Sequence, residues 1–397
     1  MLAIVKNRKN LAKKLLSALL LILPVTSVSA KNYSLKSPDG TIEIIVSTDK
    51  KVRYQVKVDG NTIIEPSLMA MTFADGKNFG DKPKVIKAER HSVKESLIPV
   101  VAVRTREVVN HYNQLTLSFT GDYSLSLRAF DQGLAYRFGS RQGGKSTLLS
   151  EVADFNFVDG AYAYFPFEKK FNTATQPRFT PIATKGIDND ELGSLPALFV
   201  AGGVNVLVTE TDLQSFPGLW LRGRGDGSVY GVHPADLDKD DKYTQDLGVV
   251  SKDRNYPWRI IGLARTDAEL LDNQMSYLLA EPSRLKNTEW IKPGQIAWDW
   301  YNENNLKGVD FVAGINTDTY KYYIDFAAEY GIENILIDDG WSSHEDVLTV
   351  LPNIDVEEIA RYGKEKGIGV QLWVPWYGLD KNMEQAFKLY AKWASMA

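Results

Sequence analysis

The chain has 397 residues, 44% of them apolar and 24% charged, which is enough for two domains with full cores. A net charge of −4, with no basic run beyond the N-terminus, argues against a nucleic-acid partner. With 0 cysteines there is no disulfide, no thiolate metal site and no cysteine nucleophile.

Residues 1–30 read as a secretion signal. Lys6, Arg8, Lys9, Lys13 and Lys14 form a basic start, Leu15–Leu23 an apolar core, and Val28-Ser29-Ala30 a small-residue cleavage site. The apolar core is too short to remain as a membrane anchor. No cysteine follows it to carry a lipid. The expectation is a mature chain from Lys31, exported across the inner membrane to the periplasm.

Residues 31–289 read as β-structure. Thr41–Thr48 and Val52–Val58 alternate apolar and polar residues, with turn signals at Asp49-Lys50-Lys51 and Asp59-Gly60-Asn61. Leu115–Thr120, Tyr123–Phe130, Ala135–Phe138 and Val204–Thr209 continue the pattern, so the segment predicts a large two-sheet sandwich. Asp236–Tyr243 is a charged loop without the spacing or glycine of an EF-hand, and reads as solvated surface. Thr266–Ala280 reads as a helix. Trp290-Ile291-Lys292-Pro293-Gly294 marks a domain boundary.

Residues 290–397 change period. Gln295–Tyr301 reads as a strand and Asn316–Tyr330 as an amphipathic helix capped by Asn316 or Thr317. A short apolar run then ends in Asp338-Asp339-Gly340-Trp341 and reads as a buried parallel strand. Asp355–Lys366 reads as a helix, Gly369–Pro375 as a strand, and Lys381–Trp393 as a helix. The fold class expected is therefore multidomain, β followed by α/β. The second part is the opening, about three βα units, of a TIM-type (β/α)8 barrel.

Barrel enzymes keep their active sites at the carboxyl ends of the strands. Asp338 and Asp339 stand there, adjacent on one strand, so their side chains diverge. That suits two hydroxyl contacts better than an acid–nucleophile pair. Capping of the next turn is the plain alternative. Asp299, inside the first strand, reads either as a substrate contact or as a buried structural acid, because an unpaired buried carboxyl is costly. Trp298 and Trp300 share a face of that strand as read, and each is a sugar platform or core. Trp341 and Trp373 read the same way. The 9 Trp and 19 Tyr suit stacking on sugar faces, although sandwich cores also use aromatics. His91, His111, His233 and His344 are too scattered for a zinc site, and of these only His344 lies near the expected pocket.

The chain resembles glycoside hydrolase family 97. The resemblance runs from Ser37-Pro38-Asp39-Gly40 through Arg128–Phe138, Thr209-Glu210-Thr211-Asp212-Leu213, Pro257-Trp258-Arg259 and Trp290–Gly294. It is strongest at Ala297-Trp298-Asp299-Trp300-Tyr301-Asn302, Gly314–Tyr330 and Asp338–Trp341. It implies an N-terminal β-super-sandwich, a catalytic (β/α)8 barrel, calcium, and cleavage of terminal α-galactose or α-glucose from oligosaccharides. The Trp298–Asn302 strand and the Asp338-Asp339 pair resemble the retaining α-galactosidase branch, with the inverting α-glucosidase branch as the alternative. The usual family form has Asp-Glu where this chain has Asp338-Asp339, one methylene shorter. The family also implies a calcium-ligating glutamate before a Leu-Pro strand, which matches Glu191 ahead of Leu195-Pro196. The family's catalytic carboxylates are expected beyond Ala397, so the chain as given is expected to be an inactive fragment with weak calcium binding. A non-catalytic carbohydrate-binding protein is the reading from a different class.

Overall fold

The computed structural model describes residues 31–101, 104–235 and 244–396. The expected secretion signal and the expected Asp236–Tyr243 loop lie outside them. The chain forms two compact units. One holds the described residues up to Pro99 and Thr105–Pro282, the other Val100–Arg104 and Ser283 onward. Among the described residues no helix is long and apolar enough to cross a membrane.

The first unit is an antiparallel network of 18 strands. Alternation builds it: along Ile42–Thr48 and along Val52–Val58 every second residue is buried. The two strands pair from Ile42 against Val58 to Thr48 against Val52, so their buried residues share one face. The longest strand, Gly133–Phe157, spans 25 residues. It pairs along its length with Asn61–Phe73, Tyr123–Phe130, Ser228–Val232, Val249–Asn255 and Trp258–Ala264. Trp258–Ala264 is buried at every position, Arg259 included. The helix expected over Thr266–Ala280 is two short ones, Asp267–Leu271 and Met275–Leu279. Asn273 breaks it: its side chain donates to Gln132 O at 2.9 Å and accepts from Met275 N at 3.1 Å, competing with the helical pattern.

The second unit is a three-stranded parallel sheet with helices between the strands. Its elements run β1 (Ile296–Trp298), α1 (Thr317–Tyr330), β2 (Asn334–Ile337), α2 (Val356–Lys366), β3 (Gly369–Leu372) and α3 (Trp376–Met396). β2 lies in the middle, with Trp298 beside Leu336 and Ile337 beside Leu372. Asn316 is the cap of α1, accepting from Thr319 N at 2.9 Å, and Asp355 caps α2 by accepting from Glu358 N at 2.9 Å. Left-handed Gly331 and Gly367 end the two helices. Tyr320, Ile324, Ile335, Ile337 and Ile359 fill the core between helices and sheet.

Candidate active site

The site forms at the carboxyl ends of β1 and β2. β1 stops at Trp298, three residues short of the sequence reading, because Asp299–Asn302 turns into a 3-10 helix. Glu303 and Asn304 follow in the left-handed region, at φ 53° and 55°. Two consequences correct the sequence reading. Asp299 leads off a turn instead of sitting inside a strand, and Trp298 and Trp300 no longer share a strand face. Trp300 swings out to 64% exposure.

Asp299 is 2% exposed. The Tyr320 hydroxyl, from α1, donates to its Oδ2. Its Oδ1 is buried without a partner. Burial pushes the carboxyl above its ordinary value and the neighbouring Asp338 charge adds to that, against the hydrogen bond from Tyr320. Asp338 follows β2 directly and is 9% exposed. Its Oδ2 accepts from Trp298 Nε1–H at 2.7 Å and its Oδ1 from the Asp339 N–H at 2.7 Å. Asp339 is more open, and its Oδ1 lies 2.6 Å from His344 Nε2. The left-handed Gly340 next to it packs on Ile315, where an added Cβ would come within 2.5 Å of Ile315 Cδ1.

Asp299, Trp300, Glu303, Asn304, Ile315, Asp338 and Asp339 line one cleft of about 460 Å³. Three of the expected residues are therefore brought together as acids, and Trp300 is their exposed ring. Trp298 is the donor that fixes Asp338, and its ring sits edge-on to Tyr301 at 5.2 Å. Trp341 leaves the list of sugar platforms. It is 1% exposed, packs edge-on against Tyr390 and Trp393, and donates Nε1–H to Trp373 O at 2.7 Å. No face of that ring is free. Trp373 is partly exposed but lies outside the cleft lining.

Glu191 sits in the tight turn 188–191, accepting from Asp188 N at 2.9 Å. Calcium takes six to eight oxygens. Among the described residues no three His, Asp or Glu side chains converge to hold a metal. Glu191 thus offers one carboxylate and the described residues do not complete a calcium shell around it.

Sequence reasoning missed Tyr320, hidden in the apolar stripe of α1. It also missed a buried charge network in the first unit. Arg259 bonds Glu151 and Glu210, with His233 Nε2 at 3.3 Å from Arg259 Nη2. Burial opposes charge on Glu151, but Arg259 and His233 outweigh it and hold the carboxyl at about 2. Glu210 goes the other way, raised by burial against the pull of Arg259. The signal was an arginine within a strand otherwise apolar, Trp258–Ala264.

The comparisons agree with this architecture. Glycosyl-hydrolase 97 N-terminal matches residues 35–282, and Glycoside hydrolase 97 matches residues 298–397. The chain is 35% identical over 406 aligned residues to a retaining alpha-galactosidase of Bacteroides thetaiotaomicron, covering 96% of this chain and 61% of that protein. It is 26% identical to a probable retaining alpha-galactosidase of Streptomyces bingchenggensis, covering 87% of this chain and 53% of that protein. The chain thus spans between half and two thirds of the length of these relatives. A glycoside hydrolase family 97 enzyme from Pseudoalteromonas sp. strain K8, solved in complex with acarbose, matches at TM-score 0.74 and 22% identity, covering 91% of this chain and 57% of that one. On these two matches, over residues 35–282 and 298–397, the chain belongs to glycoside hydrolase family 97.

Proposed function

We propose that this chain carries the sugar-holding part of a retaining exo-α-galactosidase that works outside the cytoplasm. In that reading the first unit is the family's β-super-sandwich and β1–α3 are the first three βα units of a (β/α)8 barrel. Asp338 and Asp339 accept hydroxyls of a terminal α-galactose, and Trp300 offers its ring to the sugar's apolar face. Asp299 contacts the same sugar or supports Asp338 from behind. The observation that carries the reading is Asp338, pinned by two N–H donors at the end of the central parallel strand and opening onto the cleft. The 35% identity to a protein named as a retaining alpha-galactosidase supports it.

Retaining hydrolysis needs a nucleophile and an acid/base about 5–5.5 Å apart. Asp299 is tied to Tyr320, and Asp338 and Asp339 diverge from one strand end, so we assign the catalytic pair to neither. The chain should therefore bind α-galactosides without turning them over. Calcium, with Glu191 as one ligand, belongs to the same proposal.

Binding of methyl α-galactoside and methyl α-glucoside to the purified chain, followed by NMR, tests this together with an aryl-galactoside assay. Galactoside binding that D338N weakens roughly tenfold to a hundredfold is the expected result, since hydrogen bonds to charged groups contribute about 1.5–3 kcal/mol. Preference for the glucoside would move the assignment to the α-glucosidase branch. Turnover by the chain would overturn the assignment of the catalytic pair.

A further inference from the structure

The first unit holds a groove of about 490 Å³, within the size range of small-ligand clefts. It runs between the strand Val249–Asn255 and the loop 212–216. Among the described residues that strand pairs with Gly133–Phe157 alone, which leaves its other edge open. We infer that this groove is a second saccharide site, taking a short neutral sugar through hydrogen bonds and not through ring stacking. All of its residues lie in the first unit, so it stands independently of the reading of the Asp338 cleft.

Three observations carry it. The loop is held in a costly shape: Asp212 and Ser215, neither of them glycine, sit at φ 69° and 50°. Such outliers persist only where surrounding structure over-determines them, and they gather at ligand sites. The clamp is Arg254. Its guanidinium donates to the carbonyls of Gln214 and Ser215 and lies over the rings of Tyr256 and Phe216, so the groove's wall is set before any ligand arrives. Finally, the lining carries both signs. Asp212 and Glu281 share one partner, Arg137, each at 3.2 Å, while Arg254 bonds only carbonyl oxygens. A simple anion entering the groove meets the two carboxylates, and a simple cation meets Arg254 and Lys145. A neutral polyol meets neither penalty, because each hydroxyl both donates and accepts and so finds a partner on either kind of group.

The test is binding of the neutral disaccharide melibiose to the full chain, read from backbone amide shifts of Ser215, Ser251 and Asn255 in labelled protein. The D338N variant serves as the background, so that the barrel-side cleft does not report. Shifts that saturate, and that need about tenfold more melibiose once Gln214→Ala and Asn255→Ala are combined, are expected from the loss of about one hydrogen bond's affinity. Circular dichroism and Tm of the combined variant should match the parent, since both side chains are at the surface. Absence of shifts in the parent, or shifts indifferent to the two alanines, would overturn the site. Tighter binding of galacturonate than of melibiose would overturn its neutrality.

Discussion

Asp338 and Asp299 sit at the ends of neighbouring strands and are satisfied in different ways. Asp338 has a donor at each oxygen, whereas Asp299 has Tyr320 at one and nothing at the other. Tyr320→Phe removes that one donor from a buried acid. It should cost about 1–3 kcal/mol in urea unfolding, the desolvation penalty of an abandoned partner, and should raise the Asp299 pKa further, because Tyr320 now pulls it down. Trp298→Phe keeps a ring but drops the Nε1–H that fixes Asp338, so stability should change little while galactoside binding weakens. That Asp338 and Asp339 stand at the carboxyl end of a buried parallel strand was legible from the sequence alone. Trp341 was not, because a tryptophan in a strand-end position reads alike whether its ring faces the cleft or Tyr390 and Trp393. The charge network was illegible for a different reason: Glu151 and Arg259 are 108 residues apart. Its consequence is a pH dependence. Glu151 is depressed from 4.5 to about 2 in the folded chain, so its contribution is whole above the unfolded value and is lost as pH falls through that window. Glu210 shifts upward and offsets part of the loss. Urea midpoints measured from about pH 5 downward should fall, and Arg259→Met, which strands two buried carboxylates, should cost about 3–5 kcal/mol at neutral pH and flatten that fall.

Elements were read well where a pattern repeats and poorly where one side chain interrupts it. The alternation of Ile42–Thr48 and Val52–Val58 gave strands at the expected places. The β1 strand was read too long because Trp300 and Tyr301 continue an aromatic run, although their backbone has already turned. α1 was legible with its cap at Asn316, and in α2 the same role falls to Asp355. Asp355→Ala should therefore lower stability by about 1 kcal/mol, the usual worth of an N-cap acceptor. Gly367→Ala should cost about 1–2 kcal/mol, since Gly367 holds φ 75°, a shape that a Cβ disfavours. Thermal unfolding of the two variants checks both.

At the scale of the molecule, the two units have different sheets. The first is an antiparallel network over a large core, with a smaller buried cluster around Trp258 and Met275. In the second, β1 and β3 each pair on one side only among the described residues. Hydrogen exchange should separate them: amides of β1 and β3 should open at lower free energy than those within Gly133–Phe157, which is covered on both sides. A single shared opening free energy would contradict independent units. The division into β and α/β was legible as a change of period. The route of Gly133–Phe157 was not, since pairing partners are set by tertiary structure and not by any local pattern.

That strand carries a consequence for how the protein is made. Its neighbours include Asn61–Phe73, synthesised before it, and Trp258–Ala264, synthesised long after. A nascent chain that has reached Phe157 has this strand with three of its five partner strands still untranslated. The first unit cannot close until Ala264 has left the ribosome. Chains interrupted between these points should be the ones that holding chaperones retain, because they expose an unpaired strand for the whole interval of synthesis.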